Sequence, residues 1–180
     1  MPGRRRDLFA TALLDAVPGR PALAVGHSMG AFILAAALSR LEPERVVYID
    51  TPFGPSRADI DADALSSAYA AARSRRTLER LRQQRPDWKE RDRTVEAEAA
   101  QLFDVPTAVS LLASAAGQDY TPPANVPSLM IRSDPSRNVP PEAIARLEQR
   151  GLLVRSVPGA DHSVWYGHHE EFMRALDGWI

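Results

Sequence analysis

The 180-residue sequence predicts an α/β fold in which helices flank a mostly parallel sheet of about four strands. The first observation is that short apolar segments typical of buried strands alternate with longer helical segments, as in proteins with parallel sheets. The second is that clusters of glycine and proline separate these segments. The third is a Gly-x-Ser-x-Gly pattern at 26–30, which lies between a predicted strand and a predicted helix.

Hydrophobic patterning locates the elements of this fold. The strands are predicted at residues 22–25, 45–50, 128–132 and 152–157. Outside the central segment, helices are predicted at residues 4–17, about 29–41, 141–150 and about 169–180. Because every predicted strand is followed by a helical segment, the strands are expected to run parallel.

Residues 56–118 differ from the rest of the chain, because they are rich in Ala, Arg, Glu and Leu and have almost no strand signal. The pattern predicts two to four helices, over about 63–84, 88–103 and 107–116. Six arginines form a basic face, which we interpret as a solvated helix surface balanced by Glu79 and nearby acids, in preference to an anion site. These arginines are Arg73, Arg75, Arg76, Arg80, Arg82 and Arg85.

The pentapeptide Gly26-His27-Ser28-Met29-Gly30 has the composition of a nucleophile elbow. In such an elbow a sharp strand-to-helix turn strains the serine backbone, and side chains at the two glycines are expected to collide with the turn. The turn presents the Ser28 hydroxyl at the helix start, where the Met29 amide can stabilise an oxyanion. The alternative is a glycine-rich turn in which Ser28 caps the helix.

A catalytic serine needs a histidine as base and a carboxylate to orient that histidine. In an open parallel sheet, reactive groups gather beyond the carboxyl ends of the strands. Four candidates follow predicted strands, in the required order of serine, acid and histidine: Ser28, Asp50, Asp134 and His162. The fold is therefore expected to bring them together.

On these motifs the chain resembles the α/β-hydrolase superfamily over nearly its whole length. The resemblance rests on Gly-His-Ser-Met-Gly at 26–30, Ile-Arg-Ser-Asp-Pro at 131–135 and Pro-Gly-Ala-Asp-His-Ser at 158–163. It implies a partial α/β-hydrolase fold, a single domain over 1–180 with a helical lid inserted at 56–118. It also implies that His162, in a Pro-Gly-x-x-His loop, is the catalytic histidine.

The chain departs from the family at the acid. The family often places this carboxylate in a G-x-x-D pattern after the penultimate strand, where the chain has Ser136. Of the two remaining candidates we place Asp134 first. Asp50, at the exit of the strand after the elbow, occupies the family's alternative position and is the second candidate.

The second departure is that the strands which usually precede the elbow, and the loop that supplies a second oxyanion amide, are absent from these 180 residues. The strand at 22–25 is therefore expected at the edge of the sheet, where it lacks protective charge or proline. We expect a chain of residues 1–180 to dimerise or aggregate through this edge and to be a poor catalyst.

The resemblance implies a serine hydrolase of the carboxylesterase type that cleaves a small-molecule ester, thioester or related carbonyl substrate through an acyl-enzyme. No cofactor and no metal are implied. The alternative is a non-catalytic or N-terminally incomplete hydrolase-fold protein that binds a ligand or a partner. His27 is expected to pack or hydrogen-bond locally. His168 and His169 point about 100° apart on a helix and do not form a metal pair.

The composition limits other functions. With a formal net charge of −1, nothing global favours nucleic acid or an anionic membrane. With no cysteine, the chain has no disulfide, thiolate zinc site or cysteine nucleophile. No apolar run approaches the ~18 residues of a membrane span, and the apolar start continues into the predicted elbow strand, so a cytoplasmic protein without a signal peptide is expected.

Overall fold

A four-stranded parallel sheet organises the computed structural model, which describes residues 3–54 and 59–180. Neighbouring strands are hydrogen-bonded in the order β1-β2-β3-β4, which is also their order along the chain. They are β1 (Leu23–His27), β2 (Arg45–Ile49), β3 (Ser128–Asp134) and β4 (Leu153–Pro158). The predicted fold class is confirmed, and the carboxyl ends of all four strands lie at one edge of the sheet.

Eight helices accompany the strands in the described residues. They are α1 (Gly3–Ala16), α2 (Met29–Leu41), α3 (Ala62–Arg75), α4 (Leu78–Gln84), α5 (Glu90–Leu102), α6 (Val105–Ala115), α7 (Pro141–Gln149) and α8 (His169–Ala175). No helix in the described part of the chain is long and apolar enough to cross a bilayer.

Two helices differ from the sequence-based expectation. The single helix predicted at 63–84 is divided, because Thr77 has extended backbone angles and its hydroxyl accepts a hydrogen bond from the Arg80 amide, which caps α4. The last helix ends at Ala175, and residues 176–179 form tight turns that include Gly178 at a φ of +78°.

The sheet separates two apolar layers because successive side chains of a strand point to opposite faces. On β2, Val46 and Tyr48 face a layer that contains residues of α2, α6 and α7, whereas Val47 and Ile49 face a layer that contains residues of α8. These four side chains are at most 2% exposed. Helices therefore cover both faces, as the fold class requires.

The helical segment α3 to α6, residues 62–115, occupies most of the predicted insertion; residues 56–58 of that prediction lie outside the described residues. A small apolar cluster joins this segment to the chain that follows β4. Leu81 of α4 and Trp88 pack with Tyr166, and the Trp88 and Tyr166 rings lie 4.7 Å apart. The segment is thereby held against the loop that carries His162.

Strand β1 lies at one edge of the sheet, where it pairs with β2 on one side and with no strand on its other side in the described residues. The predicted edge position is confirmed. Val25 in the middle of β1 is 54% exposed, so an apolar side chain marks an unprotected edge.

A charge on this edge should reduce self-association. We expect a chain of residues 1–180 to dimerise or form larger species, and Val25→Lys to shift it toward the monomer because an edge lysine opposes pairing of strands. Light scattering after size exclusion measures the masses. Leu102→Lys is the matched control, because Leu102 is 85% exposed at the end of α5. A monomeric wild-type chain would contradict the expectation.

Candidate active site

The turn between β1 and α2 has the backbone geometry of a strained elbow. Ser28 has φ 54° and ψ −122°, a conformation that residues with a side chain rarely adopt. Its amide donates to the Ile49 carbonyl at 3.0 Å, which ties the turn to β2. A Cβ at Gly26 would lie 2.8 Å from the Ala31 Cα, so glycine is required there. The collision expected at Gly30 is wrong, because no atom lies within 4 Å of a Cβ built at that residue.

The Ser28 side chain does not cap the helix. It makes no capping hydrogen bond to α2, which removes the evidence for the alternative role in a turn. Instead its Oγ lies 2.8 Å from Nε2 of His162, a residue 134 positions later. The structure therefore brings together the predicted nucleophile and base, at a distance suited to proton transfer.

Asp50, at the end of β2, is the carboxylate that contacts the histidine. Its Oδ2 lies 2.8 Å from His162 Nδ1, and its side chain is 1% exposed. The Asp50 amide donates to Ile131 at 2.8 Å, which fixes the backbone between β2 and β3. Ser28, His162 and Asp50 thus form a continuous chain of hydrogen bonds.

Asp134 does not take the place that we gave it first. Strand β3 extends through this residue, and alternation turns Ser133 inward and Asp134 outward. The Asp134 carboxylate is 45% exposed and pairs at 3.1 Å with Arg132, which lies two residues earlier on the same face. The expected contact between Asp134 and His162 is therefore absent, and the ranking of the two acids is corrected in favour of Asp50.

Polar groups from three segments surround the Asp50 carboxylate. Oδ1 accepts from the Ser133 amide at 3.1 Å, the Ser133 hydroxyl at 3.1 Å and the Ser136 hydroxyl at 2.8 Å. Oδ2 accepts from the Asn138 side-chain amide at 3.0 Å, beside the contact with His162. Burial by itself would raise the pKa of this carboxyl, but the hydrogen bonds outweigh it and lower the pKa to about 2. Asp50 is thus ionised at neutral pH.

His27 packs beside the catalytic candidates, as the sequence analysis expected. Its Nε2 donates to the carbonyl of His162 at 2.9 Å, so this nitrogen carries the proton. The His27 ring lies 4.6 Å from the His162 ring and 4.8 Å from the edge-on ring of Trp165. Burial, together with the nearby His162 ring, lowers the pKa of His27 to about 4. His27 is therefore neutral at physiological pH and holds the backbone of the loop that carries His162.

A cavity of about 1190 Å³ opens over this group of residues. Ser28, Met29 and His162 line it on the side of the sheet edge. Side chains of the helical segment line it from the other elements: Tyr69, Arg73, Arg76, Arg85, Glu96, Phe103 and Leu112. The space is large enough to hold a small-molecule substrate against the Ser28 hydroxyl.

Met29 begins α2, and the first amides of a helix have no partner inside that helix. Its N–H is therefore available to an oxygen that lies beside Ser28.

Among the described residues, which include His168 and His169, no group of three or more potential metal ligands is found.

Sequence reasoning missed the residues that support Asp50. Ser136 was noted only because it stands where the family's common acid would be; here its hydroxyl donates to Asp50 across 86 residues of sequence. Asn138 gave no signal of its own, because a loop asparagine between arginine and valine is common in any turn. Of the six arginines interpreted as solvent-facing, three line the cavity, namely Arg73, Arg76 and Arg85.

A model of the alpha/beta hydrolase family matches residues 3–175. No curated protein matches the sequence significantly. The fold is similar to that of N-formylmaleamic acid deformylase from Pseudomonas putida, with a TM-score of 0.66 at 18% identity over 95% of this chain and 70% of that chain.

Two further structures are similar. E-2-(acetamidomethylene)succinate hydrolase matches with a TM-score of 0.64 at 23% identity, over 95% of this chain and 70% of that chain. An esterase from Exiguobacterium antarcticum matches with a TM-score of 0.67 at 13% identity, over 97% of this chain and 73% of that chain. At these identities the likeness shows the fold.

The lowered pKa of His27 should appear in the pH dependence of stability. In the unfolded chain His27 titrates near its ordinary value of 6.5, whereas in the fold it titrates near 4. Between these two pH values the unfolded state binds more protons than the folded state. The contribution of neutral His27 to the free energy of unfolding is therefore fully present above pH 6.5 and is lost as the pH falls toward 4. We expect His27→Gln to reduce the fall in the free energy of unfolding between pH 7 and 4.5.

Urea unfolding at a series of pH values measures this difference. His169→Gln is the control, because His169 is exposed at the start of α8. Equal pH slopes in the wild type and in His27→Gln would show that the fold does not depend on a neutral His27.

Proposed function

Because the chain belongs to the alpha/beta hydrolase family, we propose that it is a serine hydrolase that cleaves an ester, thioester or related carbonyl substrate through an acyl-enzyme. In this proposal Ser28 is the nucleophile and His162 is the general base and then the general acid. Asp50 orients His162, and Met29 supplies an amide to the oxyanion.

The observation that carries the proposal is the hydrogen-bond chain from Ser28 Oγ to His162 Nε2 and from His162 Nδ1 to Asp50 Oδ2, with 2.8 Å at each step. A serine hydroxyl is a weak nucleophile unless a base accepts its proton, and an ionised carboxylate keeps the imidazole in the required tautomer. The surroundings of Asp50 favour its ionised form, which suits this role.

The proposal assigns each residue a part in acylation. Ser28 Oγ attacks the carbonyl carbon of the substrate while its proton passes to Nε2 of His162. The positive charge on the imidazole is stabilised by Asp50, and the negative charge on the substrate oxygen faces the Met29 amide at the start of α2. The tetrahedral intermediate then collapses, the bond to the leaving group breaks, and His162 donates its proton to that group.

Deacylation repeats these steps with water. His162 accepts a proton from a water molecule that attacks the acyl-enzyme, and the bond between the acyl carbon and Ser28 Oγ breaks as the proton returns to the serine. We propose that the helical segment α3 to α6 acts as a lid, which limits access of bulk water to the cavity. Tyr69, Phe103 and Leu112 supply aromatic and apolar surface on this side.

The names of the similar structures include a deformylase, a thioesterase domain and several esterases. These names support the proposal that the chain is a hydrolase, but they describe enzymes that act on different kinds of substrate. The test of the proposal therefore uses a probe that reacts with the nucleophile whatever the natural acyl group is.

A fluorophosphonate probe should label Ser28. The serine oxygen displaces fluoride from phosphorus by the same activation that drives acylation, and Ser28→Ala should abolish labelling. Mass spectrometry of tryptic peptides locates the adduct. Ser74→Ala is the control that should retain labelling, because Ser74 is exposed on α3 and does not line the cavity. Absence of label from a folded wild-type chain would support the alternative of a ligand- or partner-binding module.

The two candidate acids are distinguished by amide substitution. Asp50→Asn should lower kcat by a factor on the order of 10⁴, because the neutral amide stabilises the wrong histidine tautomer. Asp134→Asn should have little effect, because its exposed carboxylate pairs with Arg132 and does not contact His162. Hydrolysis of p-nitrophenyl esters measures both. A larger loss in Asp134→Asn than in Asp50→Asn would contradict the assignment.

A further inference from the structure

The cavity over Ser28 is lined by more cationic than anionic side chains. Four arginines line it: Arg73, Arg76, Arg85 and Arg137. Apart from Asp50, which is engaged by His162, two acidic residues line it, Glu96 and Asp161. Charged groups that face the same cavity determine which ligand charge it accepts.

Two of the arginines are neutralised in place. Arg76 Nε lies 3.3 Å from Glu96 Oε1, and Arg85 forms an ion pair with Asp161. These pairs join α3 to α5 and the end of α4 to the loop of His162. Each acid of the cavity wall thus forms an ion pair with one of these two arginines.

Arg73 and Arg137 have no such partner among the described residues. Arg73 is half-buried on α3 and donates from Nη2 to the Gln101 carbonyl at 2.8 Å, a contact with a neutral group. Arg137 makes neither a hydrogen bond nor an ion pair within the described part of the chain, although it lines the cavity. Within the described residues, no carboxylate therefore forms an ion pair with either arginine, although the charge of Arg73 contributes to the lowered pKa of Asp104.

Arg137 is exposed, but the residues on either side of it are anchored to Asp50. The residue before it, Ser136, donates to Asp50 at 2.8 Å, and the residue after it, Asn138, donates to Asp50 at 3.0 Å. The Ser136 hydroxyl also accepts from the amides of Asn138 and Val139. The backbone that carries Arg137 is thus anchored on both sides to the carboxylate of the hydrogen-bond chain.

We propose that the substrate carries a carboxylate group, which Arg137 binds beside the reacting carbonyl while Arg73 adds positive charge from the helical segment. This inference rests on the proposed function, because it names the class of substrate for the same cavity. A guanidinium offers a planar pair of N–H donors that matches the two oxygens of a carboxylate. The sequence analysis preferred a solvated surface for the basic face; that interpretation holds for Arg75, Arg80 and Arg82, which are exposed and do not line the cavity.

A pair of substrates with equal chain length tests the proposal. Mono-p-nitrophenyl adipate and p-nitrophenyl hexanoate have the same leaving group and the same six-carbon acyl chain, and they differ by the terminal carboxylate. We expect the wild type to prefer the adipate by about 10- to 100-fold in kcat/KM, the range for a hydrogen bond between charged groups. Arg137→Gln should reduce this preference by about 10-fold or more, because it should raise KM for the adipate more than KM for the hexanoate.

Arg40→Gln is the matched control, because Arg40 is exposed on α2 and does not line the cavity. It should retain the preference. Raising the salt concentration should weaken the preference in the wild type and leave Arg137→Gln unaffected, since the site is open to solvent. A Ser28-dependent activity with equal rates on both esters, or a preference that survives in Arg137→Gln, would overturn the carboxylate site while the proposed function stands.

Binding without turnover separates the two proposals. Monomethyl adipate is titrated into Ser28→Ala protein by calorimetry, alone and combined with Arg137→Gln or Arg40→Gln. Binding that is lost with Arg137→Gln and retained with Arg40→Gln supports the site, even for a chain that hydrolyses neither ester. Binding that is absent, or equal in all three proteins, would overturn it.

Discussion

The Asp50 carboxylate connects the ends of three strands. It lies at the exit of β2, accepts hydrogen bonds from Ser133 on β3 and from the segment after β3, and contacts His162 in the loop after β4. Burying an ionised carboxylate without partners would cost several kcal/mol, and the converging donors offset this cost at Asp50. The same convergence sets the position of the histidine opposite Ser28. The hydrogen bonds to the Asp50 carboxylate therefore both connect the strand ends and set the geometry of the candidate site.

The elbow supplies the second constraint. A non-glycine residue at φ 54° costs about 1–3 kcal/mol, and it persists only where the surroundings hold it. Here the close approach of Gly26 to Ala31 and the hydrogen bond from the Ser28 amide to Ile49 hold the turn on both sides. His27 extends this support to the loop of His162 through its hydrogen bond to the backbone carbonyl. Packed elements of the sheet thus hold Ser28, and hydrogen bonds to His27 and Asp50 hold His162.

Local sequence patterns were sufficient to locate the strands and most helices, because period and composition depend on neighbouring residues. They were insufficient where a single residue determines where a helix ends or whether a side chain fits. The predicted helix at 63–84 is divided at Thr77, whose side chain competes with the helical backbone for a hydrogen bond. Gly30 looked as constrained as Gly26, yet a side chain at 30 would meet open space. The difference in space around the two glycines depends on how α2 packs, and a five-residue motif does not predict that packing.

The sequence by itself determined the family resemblance and predicted Ser28 and His162 as the candidate nucleophile and base, because short motifs and their order along the chain encode both. Only the tertiary structure showed that Asp50, and not Asp134, contacts His162. The two acids are 84 residues apart, and the decision depends on how far β3 extends, on the alternation that turns Asp134 outward, and on the hydroxyl of Ser136. Strand pairing and side-chain alternation place these groups in space, and a sequence pattern contains neither the register of distant strands nor the direction of a side chain at a strand end.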